Sequence, residues 1–151
     1  MILLSLIYPF LIYGAEPKFR AEEIDAKVGV GYGLQLVDMN GDKKMDIVLC
    51  DKDKIVWYQN PDWKKHQISG RLTTRDHVCV TARDLDGDGK AEIAVGGQWN
   101  IGESNDASKS GAVFYLNPTK GRTGDWTPIK LPHEPNTHRM HWVAQGRGNS
   151  I

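Results

Sequence analysis

The chain is short of the features that announce most catalytic or nucleic-acid-binding proteins. It has two cysteines, Cys50 and Cys79, so a disulfide-rich scaffold is excluded and one bridge at most is open to it in an oxidising compartment. Both cysteines sit inside apolar runs where a free thiol simply packs, and their spacing does not give a bridging geometry. There is no charge excess: 19 basic side chains balance 19 acidic ones. Nothing therefore favours a nucleic-acid or anionic-membrane partner. No apolar run is long enough to span a bilayer comfortably. The H-E-x-x-H, G-x-S-x-G, phosphate-loop and dinucleotide fingerprints are all missing. Low-complexity and disorder-prone composition is absent as well.

What is present begins with an uncharged, apolar stretch over residues 1–15, interrupted by Pro9. It reads as the apolar core of a secretory signal peptide ending near Ala15, which predicts export to a secreted, periplasmic or cell-surface location. At 151 residues the remainder fits one domain or part of a larger one. Sixteen glycines suit a turn-rich β protein better than a helical bundle.

Two acidic loops organise the rest. DLDGDGKAE covers residues 84–92, and DMNGDKKMD covers residues 38–46, starting 46 residues earlier. Oxygen-bearing side chains fall at positions 1, 3, 5 and 9 of each: Asp38, Asn40, Asp42 and Asp46, then Asp84, Asp86, Asp88 and Glu92. Carboxylates at alternate residues repel one another unless a cation lies among them, and calcium takes six to eight oxygens at roughly 2.3–2.6 Å. Solvated acidic turns without metal are the plainer alternative. The helix-flanked calcium hand shares the start of this pattern but needs a glutamate at position 12. Leu49 and Val95 stand there, inside β-like runs, so that motif is excluded.

The likeness between the two halves extends past the loops. Short strand-like runs at 33–37 and 78–82 precede them, and runs at 47–50 and 93–95 follow. A third run ends in WYQNP (57–61) in one copy and FYLNP (114–118) in the other, and a tryptophan, Trp63 or Trp126, opens a fourth. Residues 100–110 read as a surface loop inserted in the second copy. Four short strands per unit at a fixed period predict β-propeller blades. The expected organisation is a signal peptide at 1–15, an N-terminal segment at 16–26, blade one at 27–77 and blade two at 78–137. Residues 138–151 open an incomplete third blade, HRMHWV echoing HVCVTA before the acidic pattern fails. The fold class is all-β: two four-stranded antiparallel blades plus the first strand of a third, a truncated propeller with exposed faces that invite self-association.

The pattern D-x-[DN]-G-D-G-x-x-[DE] followed by a β run resembles the FG-GAP/VCBS repeat of integrin-alpha-type propellers. The resemblance implies one calcium per hairpin. Asp38, Asn40, Asp42 and Asp46 would hold the first ion with the Lys44 carbonyl, and Asp84, Asp86, Asp88 and Glu92 the second with the Lys90 carbonyl. The first copy carries Lys43 where the family has glycine, which predicts a left-handed backbone there costing on the order of 1 kcal/mol.

Three histidines complete the candidates. His77, His138 and His141 stand at or near the openings of first strands, where imidazoles can meet in a propeller channel and bind a transition metal. The segments around them loosely resemble propellers attached to sugar dehydratases of the aldos-2-ulose type. That supports an alternative reading as part of a carbohydrate-active lyase or dehydratase, against strand-end histidines bonded to loops. Trp63 and Trp126, at equivalent places, are expected to pack between blades, whereas Trp99 beside the inserted loop is the candidate for an exposed contact. The leading expectation is an exported, calcium-binding, non-catalytic module with a protein or carbohydrate ligand.

Overall fold

A computed structural model describes residues 16–143. Residues 1–15, the stretch expected to be a signal peptide, and residues 144–151, where the third acidic pattern fails, lie outside the described residues. The chain forms two four-stranded antiparallel sheets, each a meander in which neighbours in sequence are neighbours in space. The first contains β1 (Gly33–Val37), β2 (Asp46–Asp51), β3 (Lys54–Gln59) and β4 (Lys64–Ser69). The second contains β5 (His77–Arg83), β6 (Glu92–Gly97), β7 (Ala112–Asn117) and β8 (Thr127–Leu131). The inserted stretch between β6 and β7 holds a single 3-10 turn, Ile101–Glu103. Among the described residues no helix is long and apolar enough to cross a membrane.

Side-chain alternation decides how the sheets pack. Along β2 and β3, Val48, Cys50, Ile55 and Trp57 point one way, and Leu49, Val56 and Tyr58 point the other. A period of two puts them on opposite faces. The first set meets Val80, Ile93, Val95, Leu116 and Trp126 of the second sheet in one buried cluster. This inter-sheet core also closes over Met39 and Ala91, one residue from each acidic loop, both fully buried. Both cysteines are free and buried, in keeping with a packing role.

The other face of the first sheet is only partly covered. Ile24 and Trp63 pack on it, and Asp25 fastens the N-terminal segment by accepting hydrogen bonds from the Tyr58 hydroxyl at 2.7 Å and Lys65 Nζ at 2.6 Å. Leu34 and Leu36 nevertheless remain 57% and 62% exposed, whereas their repeat equivalents Val80 and Ala82 pack into the core. Residues 133–143 lie over the far face of the second sheet without forming the strand expected at 138–143. The Trp142 N–H donates to Thr81 Oγ1 at 3.2 Å. Gly96 permits the approach, because a Cβ there would sit 2.5 Å from Cys79 Sγ and 3.3 Å from Thr137.

Strand register corrects one part of the repeat alignment. Ile47 pairs with Tyr58 and Ile93 with Leu116, so Tyr58 and Leu116 are the equivalent residues. The WYQNP and FYLNP motifs are therefore offset by one residue relative to the ladders. Trp57 and Phe114, matched by motif, lie on opposite faces of their own sheets, both turned into the core between them.

Candidate metal centre

Each acidic loop joins the first two strands of its sheet, and the two loops share most of their internal wiring, the first adding a bond from the Asn40 N–H to Asp38 Oδ1 at 3.1 Å. In the first, Asp38 Oδ1 accepts the Gly41 N–H at 2.7 Å and Oδ2 accepts the Lys43 N–H at 2.6 Å. Asn40 Oδ1 accepts the Asp42 N–H and Asp42 Oδ1 the Lys44 N–H. The second repeats this position for position: Gly87 and Gly89 donate to Asp84, Asp88 to Asp86, and Lys90 to Asp88. Short polar side chains bonding the backbone two residues on are what tighten such turns.

Sharp curling needs left-handed backbone. Gly41 (φ 85°), Gly87 (85°) and Gly89 (83°) supply it without steric cost. Lys43, the counterpart of Gly89, has φ 66°, the strained conformation expected from the sequence.

One carboxylate oxygen from each of Asp84, Asp86 and Asp88 lies within 4.8 Å of the others. Two ligands on opposite sides of a calcium ion at about 2.4 Å stand about 4.8 Å apart, so all three fit a common ion. Asp86 and Asp88 each give only one oxygen to a loop N–H; the other oxygen of Asp88 faces Lys90 Nζ at 3.8 Å, an exposed ion pair that a cation would displace. The donor set, hard oxygens on a tightly curled loop, suits calcium rather than a soft metal.

The ninth positions are turned inward. Asp46 is fully buried and accepts from the Met39 and Asn60 N–H groups, each at 2.9 Å. Burial pushes its carboxyl up; the Asn60 and Met39 N–H bonds oppose this, and the nearby Asp42 and Asp38 charges add to it. A cation would offset the cost of keeping this buried carboxylate charged and screen the repulsion from Asp42 and Asp38. Glu92 accepts the Leu85 N–H at 2.9 Å. Its other oxygen faces Arg122 Nη1 at 3.7 Å rather than a backbone donor. The register explains the difference: after Gln59 the first sheet offers the Asn60 N–H, but after Asn117 the second has Pro118, which has none.

The histidines do not gather. His77 is fully buried, and its Nε2 accepts the Leu72 N–H at 3.0 Å. Burial, reinforced by the Arg71 charge, pushes its pKa down, so the ring stays neutral. His138 and His141 instead line a cleft of about 300 Å³ with Tyr32 and Val78. An adjoining cleft of about 430 Å³ shares those two residues and adds Trp99 and Asp76. Trp99 packs against His138 with ring centroids 5.4 Å apart. The Tyr32 hydroxyl donates to Asp76 at 2.9 Å, joining the entries of β1 and β5.

Sequence reasoning did not single out Asp51 or Arg122. Asp51 is fully buried and accepts N–H groups of Gly29 and Val30, each at 2.8 Å, and Lys54 Nζ at 3.1 Å. Arg122 donates to the Ala91 carbonyl and lies 4.8 Å from the Trp126 ring. Their only sequence signal was a charge flanking a strand-like run.

Paired four-stranded meanders, each with an acidic loop in its first hairpin, define an all-β repeat protein. Residues 38–95 match the family model of the FG-GAP-like repeat, a stretch that contains both loops. The match agrees with the resemblance carried by the loop motif and supports a propeller-like fold. No curated protein and no solved structure matches the chain.

Proposed function

We propose that the chain is an exported, calcium-stabilised propeller module with a non-catalytic binding or scaffold role. The observation that carries this reading is the shared wiring of two acidic loops, 46 residues apart, in the same hairpin of successive sheets. Each sheet would be one blade. The packing of β1 and β2 against β5 is what adjacent inner strands of successive blades would give.

Asp38, Asn40, Asp42 and Asp46 would hold one ion with the Lys44 carbonyl, and Asp84, Asp86, Asp88 and Glu92 the other with the Lys90 carbonyl. Calcium supplies charge neutralisation and a cross-link within each hairpin. The chain's own part is to present oxygens already fixed by backbone N–H groups. The two adjoining clefts that meet at Tyr32, one lined by His138 and the other by Trp99, are the contact surface in this reading, since aromatic groups on loops held by rigid sheets are where ligands dock. The apolar run at 1–15 supports export. The enzyme alternative loses support because His77 is buried and bonded away from His138 and His141.

Titration calorimetry with calcium tests the proposal. Two sites are expected, with one lost in Asp84→Ala and in Asp88→Ala, and chelator should lower the melting temperature. Binding unchanged by both substitutions sinks it.

A further inference from the structure

The two acidic loops touch each other. The Ala91 N–H, at position 8 of the second loop, donates to the Asp38 carbonyl, at position 1 of the first, at 2.9 Å. The Lys90 stem lies across Gly41, so that a Cβ on that glycine would meet Lys90 Cε at 3.1 Å. Met39 and Ala91, next to these contacts, are both fully buried in the one inter-sheet cluster. The Ala91 carbonyl is held in turn by Arg122.

We infer that the loops are energetically coupled, so that calcium at either one tightens binding at the other. The inference rests on the calcium reading and adds regulation to it.

The shared group is the peptide unit between Lys90 and Ala91. Its carbonyl is the backbone oxygen proposed for the second ion, and its N–H is the donor to Asp38. A cation drawing on that carbonyl polarises the unit and strengthens the N–H as a donor, as chained hydrogen bonds do. The bond it strengthens fixes the residue whose carboxylate gathers the Gly41 and Lys43 N–H groups of the first loop. Ordering of the first loop by its own ion holds the Asp38 carbonyl and, through the same bond, the peptide unit that the second ion uses. Each ion therefore meets part of the other's ordering cost in advance. Linkage requires the effect to be equal in both directions.

The test uses the full chain and calcium chloride. Asp84→Asn with Asp88→Asn leaves the first loop to be measured, and Asp38→Asn with Asp42→Asn leaves the second. Each remaining site is expected to bind about 5-fold more weakly than in the wild type, by the same factor in both variants. Amide exchange gives a second readout that needs no change at the contact. Calcium added to the Asp84→Asn, Asp88→Asn protein, which loads only the first loop, should slow exchange at the Ala91 amide in the other loop. Affinities unchanged or tightened in the variants, or unaltered Ala91 exchange, overturn the coupling and leave the calcium reading standing. A wild-type chain that takes up no calcium overturns both.

Discussion

Lys43 and Gly89 occupy the same place in two loops whose hydrogen bonds match, and both have left-handed backbone. For lysine that conformation costs roughly 1–2 kcal/mol, partly offset because glycine loses more freedom on folding. Lys43→Gly is therefore expected to stabilise the protein by about 0.5–1 kcal/mol, and Gly89→Ala to destabilise it by on the order of 1 kcal/mol. Urea denaturation of both variants, with calcium held constant, checks the pair. A residue's partners were harder to read than its backbone. The strain at Lys43 was legible because its twin is glycine. Asp51 was not legible, because it has meaning only once the chain folds residues 29–31 back over the end of β2.

At the scale of elements, the likeness of the two copies and the turn signals between them located the eight strands of the described residues, the third of each sheet only by its ending. Pairing register was another matter. A motif match can slide by one residue without penalty on paper, yet in a sheet that slip turns every side chain to the opposite face. Trp57 and Phe114 show it, since only the ladder reveals that they approach the shared core from opposite sides. The expected strand at 138–143 failed for a related reason: its composition echoes β5, but no strand pairs with it among the described residues.

The fastening of the N-terminal segment carries a pH dependence. Lys65, then Tyr58 and the Lys27 N–H, hold the Asp25 carboxyl well below its ordinary value near 3.8. Burial pushes Asp51 up, but the Val30, Gly29 and Lys52 N–H groups and Lys54 outweigh it and hold the carboxyl below the same value. Both depressed carboxylates contribute stability that is present above their unfolded pKa and lost as pH falls through their folded values. Stability should thus drop below about pH 4, and Asp51→Asn should flatten that acid limb while lowering stability at pH 7 by about 2–4 kcal/mol. Thermal melts across pH 2–7 provide the check; an acid limb of unchanged steepness would assign the loss to other groups.

The whole molecule shows what the repeat cannot satisfy alone. Met39 is buried between the sheets, while its equivalent Leu85 is 46% exposed on the far side of the second loop. Ala91 is buried, while its equivalent Met45 is 59% exposed on the near side of the first. With Leu34 and Leu36, these positions mark apolar surface at each end of the pair that is built like an interface and is left exposed among the described residues, the 133–143 stretch covering only part of the far face. Such surfaces complement rather than match one another, so association through them runs head to tail. Sedimentation analysis is expected to show concentration-dependent association, reduced in Met45→Lys and Leu85→Lys with the melting temperature nearly unchanged. The repeat arithmetic made the exposed faces foreseeable; the residues that mark them needed the equivalences of the folded loops.

Those paired positions also make the molecule its own reference state. Met39 with Leu85, and Ala91 with Met45, present one interface both closed and open within a single chain, at the same temperature, salt and concentration. The difference between truncating Met39 and truncating Leu85 to alanine measures the worth of seating one repeat against the next, with no second protein and no association constant in the measurement.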